Sequence, residues 1–307
     1  MKVKVFLNGG LGFIGIRFIR KYFQEHEIIV YARKKDRQIL DKSDVLKNIT
    51  VEYGSVEDSS LGIALEKHKP EVVIHLAALT GLKKCHDNPQ LAFETNVYGT
   101  YNLLKNCQQG TKIIFISSRE VYGETLNSKS KETDTTKPNN VYGITKLLAE
   151  QLVQLESQKN NLDYTILRLT NVYGPEGDQY GAQVIIKDVL RARKVRIMGG
   201  SQRLNFVYVD DVVELIGKTL TDSSSSKQIF NVGSDDTITI KEFAQQVIKL
   251  QDKDISIEYL PMRNTETSNF DPSLEKLFSI MGFVPKTSLS QGLKNTIGWY
   301  QKSLVLE

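Results

Sequence analysis

The residue pair best suited to proton transfer in this sequence is a tyrosine followed four positions later by a lysine. Tyr142 and Lys146 stand at the start of a stretch with helical periodicity, so both side chains fall on one face of the predicted helix. A neighbouring ammonium stabilises a phenolate and therefore lowers the pKa of the phenol. The pair predicts that Tyr142 exchanges a proton with a hydroxyl near neutral pH.

A polar stretch that follows an apolar run is the second chemical feature. The run 113–116 predicts a buried strand, and Ser118 and Glu120 come directly after it. Open α/β sheets bind their ligands beyond the carboxyl ends of parallel strands. We therefore expect Ser118 and Glu120 to lie at the same sheet edge as Tyr142. For Glu120, ordering of the loop is the alternative to a chemical role.

A glycine-rich turn near the start of the chain is the third feature. Gly9, Gly12 and Gly15 are spaced three residues apart, between an apolar strand and an amphipathic helix. A turn without side chains lets a pyrophosphate approach the helix N-terminus, where N–H groups and the helix dipole favour an anion. In this strand–turn–helix context, the spacing predicts a dinucleotide site.

The alternation of apolar strands and helices predicts the fold. Nearly all-apolar strands separated by helices indicate a parallel sheet covered on both faces. We predict an α/β fold with a doubly wound parallel (Rossmann) sheet over residues 1–170 and a smaller mixed α/β C-terminal domain over residues 171–305. The second domain is expected mainly to bind substrate. Residues 306–307 are set aside as a cloning remnant.

Composition argues against several classes of function. The 40 basic and 36 acidic residues are scattered and give a net charge of +4, so a nucleic-acid partner is not expected. No apolar run approaches the roughly 20 residues of a membrane span, and neither an anchor nor a signal peptide is predicted. The two cysteines and four histidines show no metal-ligand spacing. A cytoplasmic protein without a metal is the simplest interpretation.

Several ordered motifs together resemble the extended short-chain dehydrogenase/reductase family, and specifically its nucleotide-sugar epimerases and dehydratases. The resemblance covers nearly all of residues 1–305, including the glycine turn and the segments 171–175, 206–212 and 231–233. It implies an NAD(P)-dependent enzyme that forms a transient 4-keto sugar. The cofactor-binding residues that it implies are Gly9, Gly12, Phe13, Ile14, Gly15, Ser55, Val56, Leu76, Ala77, Ala78, Asn96, Tyr142 and Lys146.

The resemblance also implies roles for the catalytic residues. Ser118 would hydrogen-bond the sugar hydroxyl that is oxidised, and Tyr142 would take its proton. Lys146 would bind the nicotinamide ribose and keep Tyr142 acidic. Glu120 would remain available as a base that removes the C5 proton.

The diphosphate of the substrate is expected to meet three polar residues. The resemblance assigns this contact to Asn171, Arg203 and Arg263. The planar arginine fork suits phosphate oxygens, which gives the two arginines an independent physical reason. For Arg203, an ordinary solvated side chain is the alternative.

Two other polar residues have structural interpretations. His75 is expected to satisfy a hydrogen bond at a strand end rather than to act as a base. Asn96 is expected to stabilise a kink in the backbone under the cofactor.

The residues after the second predicted strand favour NADP over NAD. An NAD enzyme usually carries a carboxylate here, which binds the ribose 2′-hydroxyl. This sequence has Ala32 at that position, followed by Arg33 and Lys34. Their charges suit a 2′-phosphate, and ordinary exposed bases on a loop are the alternative.

The triplet Ser118-Arg119-Glu120 bears on the reaction type. Dehydratases of the dTDP-glucose type resemble one another in a Thr-Asp-Glu triplet, and here Arg119 replaces the acid that would protonate the leaving hydroxyl. A C4 epimerase is therefore slightly favoured. An NADPH-dependent 4-keto-sugar reductase, a GDP-mannose-type dehydratase and a glucuronate decarboxylase stay open. A non-catalytic dinucleotide-sensing regulator is the alternative from another class.

The resemblance further implies a homodimer built on a four-helix contact. The two predicted helices around residues 92–107 and 142–157 would supply it, although their apolar residues also suit the intramolecular core. The residues concerned are Ala92, Val97, Tyr101, Leu104, Leu147, Leu148 and Leu152.

Overall fold

The computed structural model describes residues 2–34, 36, 49–125, 129–177, 181–191, 194–251, 254–262 and 268–304. Arg263, one of the predicted substrate-binding residues, lies outside the described residues. None of the helices in these ranges is long and apolar enough to cross a membrane.

Strands and helices alternate through the first half of the chain. In chain order they are β1 (Lys4–Asn8), α1 (Phe13–Tyr22), β2 (Glu27–Ala32), β3 (Thr50–Tyr53), α2 (Ser60–His68), β4 (Val72–His75), α3 (Leu82–Asp87), α4 (Pro89–Phe93), a π-helical turn (Glu94–Tyr98), α5 (Gly99–Asn106), β5 (Lys112–Ser118), a 3₁₀ turn (Arg119–Val121), α6 (Val141–Asn160) and β6 (Asp163–Leu169).

The second half is less regular and contains shorter strands. Its elements are β7 (Asn171–Tyr173), α7 (Ala182–Leu190), β8 (Val195–Met198), β9 (Arg203–Tyr208), α8 (Val209–Thr219), a 3₁₀ turn (Ser223–Ser225), β10 (Gln228–Val232), β11 (Thr237–Thr239), α9 (Ile240–Leu250), β12 (Ile257–Leu260), α10 (Glu275–Met281) and α11 (Leu289–Leu304).

Within the described residues, seven strands form one sheet in the order β10-β6-β5-β4-β1-β2-β3, and each neighbouring pair is parallel. Successive residues on a strand point to opposite faces, so each strand contributes to two cores. Phe6 and Val73 pack on one face, whereas Leu7 and Ile74 pack on the other. The prediction of a doubly wound parallel sheet is confirmed.

The strand order reverses between β1 and β4, because the chain first builds outward through β2 and β3 and then returns to build through β5 and β6. A crevice forms at such a reversal, outside the carboxyl ends of the two strands, and it is where open sheets bind ligands. The glycine turn after β1 and the residues after β4 both lie there.

The second half of the chain contributes to both parts of the molecule. Strand β10 joins the edge of the large sheet beside β6, and α8 packs against α1. The remaining strands form two small sheets, β11-β9-β7 and β12-β8, which enclose a separate apolar core around Phe206 and Phe243. The second half therefore adds an edge strand to the large sheet and also forms a small core of its own.

The helix predicted over residues 92–107 is interrupted, and this prediction needs correction. The π-helical turn Glu94–Tyr98 separates α4 from α5. Inside it, the Asn96 side chain accepts a 2.7 Å hydrogen bond from Leu79 N and donates to Leu79 O at 3.1 Å. These buried bonds hold the side chain inward at the position where the helix takes its extra residue. Single π-helical turns are frequent at functional sites.

Candidate active site

The residues that the sequence predicts to bind or react lie at the carboxyl edge of the large sheet. Because the strands are parallel, the segments that follow β1, β2, β3, β4 and β5 all emerge at this edge. The glycine turn, the basic residues after β2, and Ser118 thus share one side of the molecule. The N-terminal end of α6 brings Tyr142 to the same edge.

The glycine turn is packed against the backbone that follows β4. Gly9 has φ +81°, and a Cβ there would lie 2.6 Å from Ala77 N. The amides of Leu76 and Ala77 donate hydrogen bonds of 2.8 and 3.0 Å to Asn8 O. The turn can therefore exist only with glycine at position 9, because a side chain would push the two segments apart.

The turn and the start of α1 fit a pyrophosphate. Gly12 is the N-cap of α1, and no side chain caps the first N–H groups of this ten-residue helix. A Cβ on Gly15 would lie 2.4 Å from Gly10 O, so the helix and the turn are also in close contact. Phe13 and Ile14 form the first helical turn and are partly exposed. Uncapped N–H groups beside a glycine cradle are what the phosphates of a dinucleotide require.

Four further predicted cofactor-binding residues lie after β2 and β3. The Arg33 guanidinium is exposed and pairs with Asp36, with 3.0 Å between Nε and Oδ2. Lys34 is also exposed, while Val56 is buried. The Ser55 hydroxyl donates to the Glu57 carboxylate. The two basic side chains are accessible to an anionic ligand, although Asp36 competes for Arg33.

A chain of buried hydrogen bonds connects the glycine turn with α6. His75 Nδ1 lies 3.4 Å from Asn8 Nδ2, and His75 Nε2 lies 3.0 Å from Thr100 Oγ1. Thr100 in turn donates a 2.6 Å bond to Asn96 O, and Asn96 Nδ2 donates to Thr145 Oγ1 at 2.9 Å. Both ring nitrogens of His75 are thus used, which confirms its predicted role at the strand end. Burial lowers the pKa of His75 to about 3, so the ring is neutral.

Ser118, Tyr142 and Lys146 come together as predicted. The Ser118 hydroxyl ends β5 and is hydrogen-bonded to the Tyr142 hydroxyl. It also accepts a 3.2 Å bond from Glu120 N. Lys146, one turn along α6, is buried, donates a 2.7 Å bond to Ile116 O and lies over the Phe115 ring at 4.8 Å. The arrangement presents a hydroxyl and a phenol side by side, with a buried ammonium one helical turn from the phenol.

The expectation that Lys146 makes the phenol acidic is wrong. Burial raises the pKa of Tyr142 well above its usual value, nearby Cys85 and Glu120 raise it further, and the hydrogen bond from Ser118 acts in the opposite direction. Burial also lowers the pKa of Lys146 to about 8, against the opposing charges of Glu150 and Cys85. Desolvation of both groups therefore outweighs the attraction that their spacing suggests.

Glu120 is fixed by two buried neighbours. Its Oε1 pairs with Arg119 Nη2 at 2.8 Å, and its Oε2 accepts a 2.8 Å bond from Asn140 Nδ2. Asn140 also caps α6, since its Oδ1 accepts a 2.8 Å bond from Gly143 N. One asparagine therefore sets both the start of the helix that carries Tyr142 and the orientation of the carboxylate beside it.

Two of the predicted substrate contacts, Asn171 and Arg203, lie on the β11-β9-β7 sheet. Asn171 Nδ2 donates to Asn205 O at 2.9 Å, and Arg203 Nη2 donates to Thr237 O at 3.0 Å from an exposed position. Asn171 pairs with Phe206, three residues beyond Arg203 on β9. The backbone positions of Asn171 and Arg203 are therefore about 10 Å apart along the strand direction. Arg263 lies outside the described residues.

Sequence reasoning missed several residues that shape the site. Asn140 directly precedes an apolar-periodic run, which is the usual signal for an N-cap and would have identified it. Arg119 was considered only as the replacement of an acid. Cys85 is buried behind Tyr142, and its thiol donates to Leu79 O at 3.3 Å. Nothing in the spacing of Cys85 along the chain indicates that position.

A buried ion pair supports the site from behind. Arg168 on β6 and Glu150 on α6 are almost fully buried, with 2.7 Å between Nη2 and Oε2. The Ser117 hydroxyl donates to the same carboxylate, and Arg168 Nη1 donates to the Tyr122 hydroxyl at 2.8 Å. These bonds fix α6 against β5 and β6. Across the described ranges, no group of three or more His, Cys, Asp or Glu side chains is placed to hold a metal ion.

Comparison with known proteins agrees with this geometry. Residues 5–233 match the model of the NAD-dependent epimerase/dehydratase family. The chain is similar to the UDP-N-acetyl-alpha-D-glucosaminuronate decarboxylase of Bacillus cytotoxicus, with 32% identity over 98% of this chain and 99% of that protein. It is 30% identical to the mouse dTDP-D-glucose 4,6-dehydratase over 98% of this chain and 89% of that protein.

A solved structure gives the same architecture. The UDP-glucose 4-epimerase of Thermotoga maritima, crystallised with UDP-glucose, superposes with a TM-score of 0.89 at 28% identity. The superposition covers 98% of this chain and 99% of that one. The likeness therefore extends over both the large sheet and the small sheets.

Proposed function

Because the chain belongs to the NAD-dependent epimerase/dehydratase family, we propose that it oxidises a nucleotide sugar at C4, through a transient 4-keto sugar, and epimerises it. The observation that carries this proposal is the hydrogen bond between Ser118 and Tyr142 at the carboxyl edge of the sheet. A hydroxyl and a phenol that are hydrogen-bonded to each other can bind one sugar hydroxyl together. The nearby glycine turn supplies a place for the dinucleotide.

Residues of this chain orient the sugar C4 hydroxyl and accept its proton. Ser118 donates to the sugar C4 oxygen and so orients it, while Tyr142 accepts the proton as C4 is oxidised. Lys146, one helical turn along α6 and bonded to Ile116 O, would bind the nicotinamide ribose. A bound oxidised nicotinamide supplies the hydride acceptor and a further positive charge. Since burial raises the pKa of Tyr142, the phenol has to release its own proton to solvent before it can accept the proton of the sugar hydroxyl.

The dinucleotide would be held along the sheet edge. Gly9, Gly12 and Gly15 form the cradle that fits the pyrophosphate, because side chains at positions 9 and 15 would collide with neighbouring backbone. Arg33 and Lys34 support a preference for NADP over NAD, since both are exposed beyond β2 and no carboxylate stands at Ala32. The sugar diphosphate would meet Asn171, Arg203 and Arg263, so residues 171–305 chiefly bind substrate.

A homodimer forms part of the proposal. Large apolar side chains remain exposed along α4, the π-helical turn and α6, which contact one another in the chain. Of the residues expected at a dimer contact, Ala92 and Leu104 are buried in the chain's own core, whereas Leu148 is exposed. The exposed set is Leu91, Phe93, Tyr98, Ile144, Leu148 and Leu155. Desolvation of this surface would stabilise a dimer.

A cytoplasmic location also belongs to the proposal.

Product analysis tests the proposed reaction. The purified protein is incubated with NAD or NADP and with UDP-, dTDP-, GDP- and CDP-sugars, and products are identified by NMR. We expect a C4 epimer to form without net change in cofactor absorbance. Release of a 4-keto product would indicate a dehydratase, and net NADPH oxidation with a keto sugar would indicate a reductase. Absence of any turnover, with dinucleotide binding retained, would favour a dinucleotide-sensing regulator and contradict the enzyme.

A further inference from the structure

Arg119 is a buried cation in the site whose hydrogen-bonding capacity is only partly used. Its side chain is 8% exposed, and Nη2 pairs with Glu120 Oε1 at 2.8 Å. The guanidinium lies over the Phe270 ring at 5.7 Å. Its Nη1 is buried, and among the residues that the structure describes no acceptor lies within hydrogen-bond distance of it.

An unpaired donor on a buried guanidinium is costly. Leaving a buried charged donor without an acceptor costs more free energy than leaving a neutral donor without one. If Arg119 served only to hold Glu120, a shorter neutral donor would do so without this cost. The arginine fork carries five N–H donors in a plane and is suited to a second carboxylate at Nη1. The free Nη1 therefore points to an anionic ligand group.

The position of Arg119 identifies where on the substrate that group sits. Arg119 directly follows Ser118, which contacts the reacting C4 hydroxyl in the proposed function. Phe270, under the guanidinium, is bonded through its N–H to Arg203 O at 2.9 Å, so Arg119 faces the segment that lines the substrate side. The anionic group is therefore attached to the sugar ring close to C4.

We propose that Arg119 binds the C6 carboxylate of a nucleotide hexuronate, so that the substrate is an acidic rather than a neutral nucleotide sugar. The inference rests on the proposed function, because it assumes C4 at Ser118 and Tyr142. C6 is attached to C5, the neighbour of C4, and a carboxylate there lies within reach of a side chain adjacent to Ser118. Arg119, Glu120 and Lys146 together carry one excess positive charge, which one carboxylate neutralises.

The test compares acidic and neutral sugars on matched variants. Wild type, Arg119→Met and Arg119→Lys are assayed with UDP-glucuronate against UDP-glucose, and with UDP-N-acetylglucosaminuronate against UDP-N-acetylglucosamine. The control is Arg196→Met, because Arg196 is exposed and pairs with Glu258 on the two-stranded β12-β8 sheet. Melting curves and cofactor affinity report on folding, and calorimetric titration measures binding of each sugar to the cofactor-loaded protein.

We expect wild type to favour an acidic sugar over its neutral partner at least 50-fold in kcat/KM, whether the product is an epimer or a decarboxylated sugar. Arg119→Met should lower kcat/KM for the acid about 100-fold, and Arg119→Lys about 10-fold, with the neutral sugar changed less than 5-fold. Equal turnover of acidic and neutral sugars by wild type, or equal losses on both in Arg119→Met, would overturn the assignment.

The two proposals fail in different ways. If no sugar is converted, the proposed function fails, and the calorimetric comparison still decides whether Arg119 selects an acid. If neutral sugars are converted as well as acidic ones, the proposed function stands and the role of Arg119 is wrong. Should Arg119→Met not fold, Arg119→Lys carries the comparison, because it keeps the charge but loses the fork.

Discussion

Asn140 Nδ2 donates a 2.8 Å hydrogen bond to Glu120 Oε2, and so ties the cap of α6 to the end of β5. The same side chain accepts the Gly143 N–H through Oδ1. Tyr142 lies between these contacts along the chain. The position of the phenol relative to Ser118 thus depends on a residue that need not touch the substrate.

Replacement of Asn140 separates its two roles. Asn140→Ala removes both bonds, and we expect unfolding free energy to fall by about 2 kcal/mol and turnover to fall at least 10-fold. Asn140→Asp keeps an acceptor for the helix cap but sets a second carboxylate against Glu120. Asn140→Asp should retain more of the unfolding free energy than Asn140→Ala does, while its turnover should fall by as much. Equal stability of all three proteins in urea unfolding would show that Asn140 is not the cap we describe.

The neutral state of His75 predicts acid sensitivity. In the unfolded chain a histidine binds a proton below about pH 6.5, whereas burial keeps the pKa of His75 in the folded chain at about 3. The contribution of neutral His75 to the unfolding free energy is therefore fully present above about pH 6.5 and is lost as the pH falls below that value. Between pH 7 and pH 5, protonation of this histidine in the unfolded chain should lower the unfolding free energy by about 2 kcal/mol.

Urea unfolding at the two pH values checks this prediction. His75→Gln, which cannot titrate, should lose about 2 kcal/mol less than wild type over the same interval. His86→Gln, at an exposed position on α3, serves as the control and should follow wild type. A His75→Gln protein with the wild-type pH dependence would assign the acid sensitivity to other groups.

The basic residues after β2 predict the cofactor preference. We expect wild type to bind NADP at least 10-fold more tightly than NAD, and Arg33→Ala to remove most of that difference. Because Asp36 pairs with Arg33, Asp36→Asn should strengthen NADP binding and leave NAD nearly unchanged. Fluorescence titration with both dinucleotides measures these affinities. A clear preference for NAD in wild type would refute this part of the proposal.

The exposed apolar face on α4 and α6 predicts assembly. Leu148→Glu places a charge in its middle and should convert a dimer into a monomer, as measured by light scattering coupled to gel filtration. Phe278→Glu offers a matched control, because Phe278 is 61% exposed on α10, a different helix of the chain. A monomeric wild type, or dissociation by both variants, would rule out this face as the contact.

Much of the fold was predictable from the pattern of apolar residues, because buried parallel strands appear in a sequence as continuous apolar runs. The strand predicted over residues 113–116 lies within β5, and the helix predicted around residues 142–157 lies within α6. The interruption of the helix at Asn96 was not, since it depends on the contacts of one side chain with Leu79, 17 residues earlier. Local propensity carries no information about such a contact.

The members of the site were easier to predict than their electrostatics. Spacing along the chain brings Tyr142 and Lys146 to one helix face, and strand position brings Ser118 to the same edge. The pKa of Tyr142 depends instead on how deeply the tertiary fold buries it, which the spacing does not encode. The free Nη1 of Arg119 is likewise visible only after the surrounding segments are in place.

The central claim is that Tyr142 transfers the proton of the sugar hydroxyl, and the kinetics of Tyr142→Phe test it most directly. We expect kcat on the best nucleotide sugar to fall at least 1,000-fold, within the range of about 10²–10⁴ for general acid–base groups, while dinucleotide affinity changes less than about 3-fold. Tyr259→Phe, at an exposed position on β12, should remain fully active. A Tyr142→Phe enzyme that keeps a tenth or more of its turnover would contradict the account.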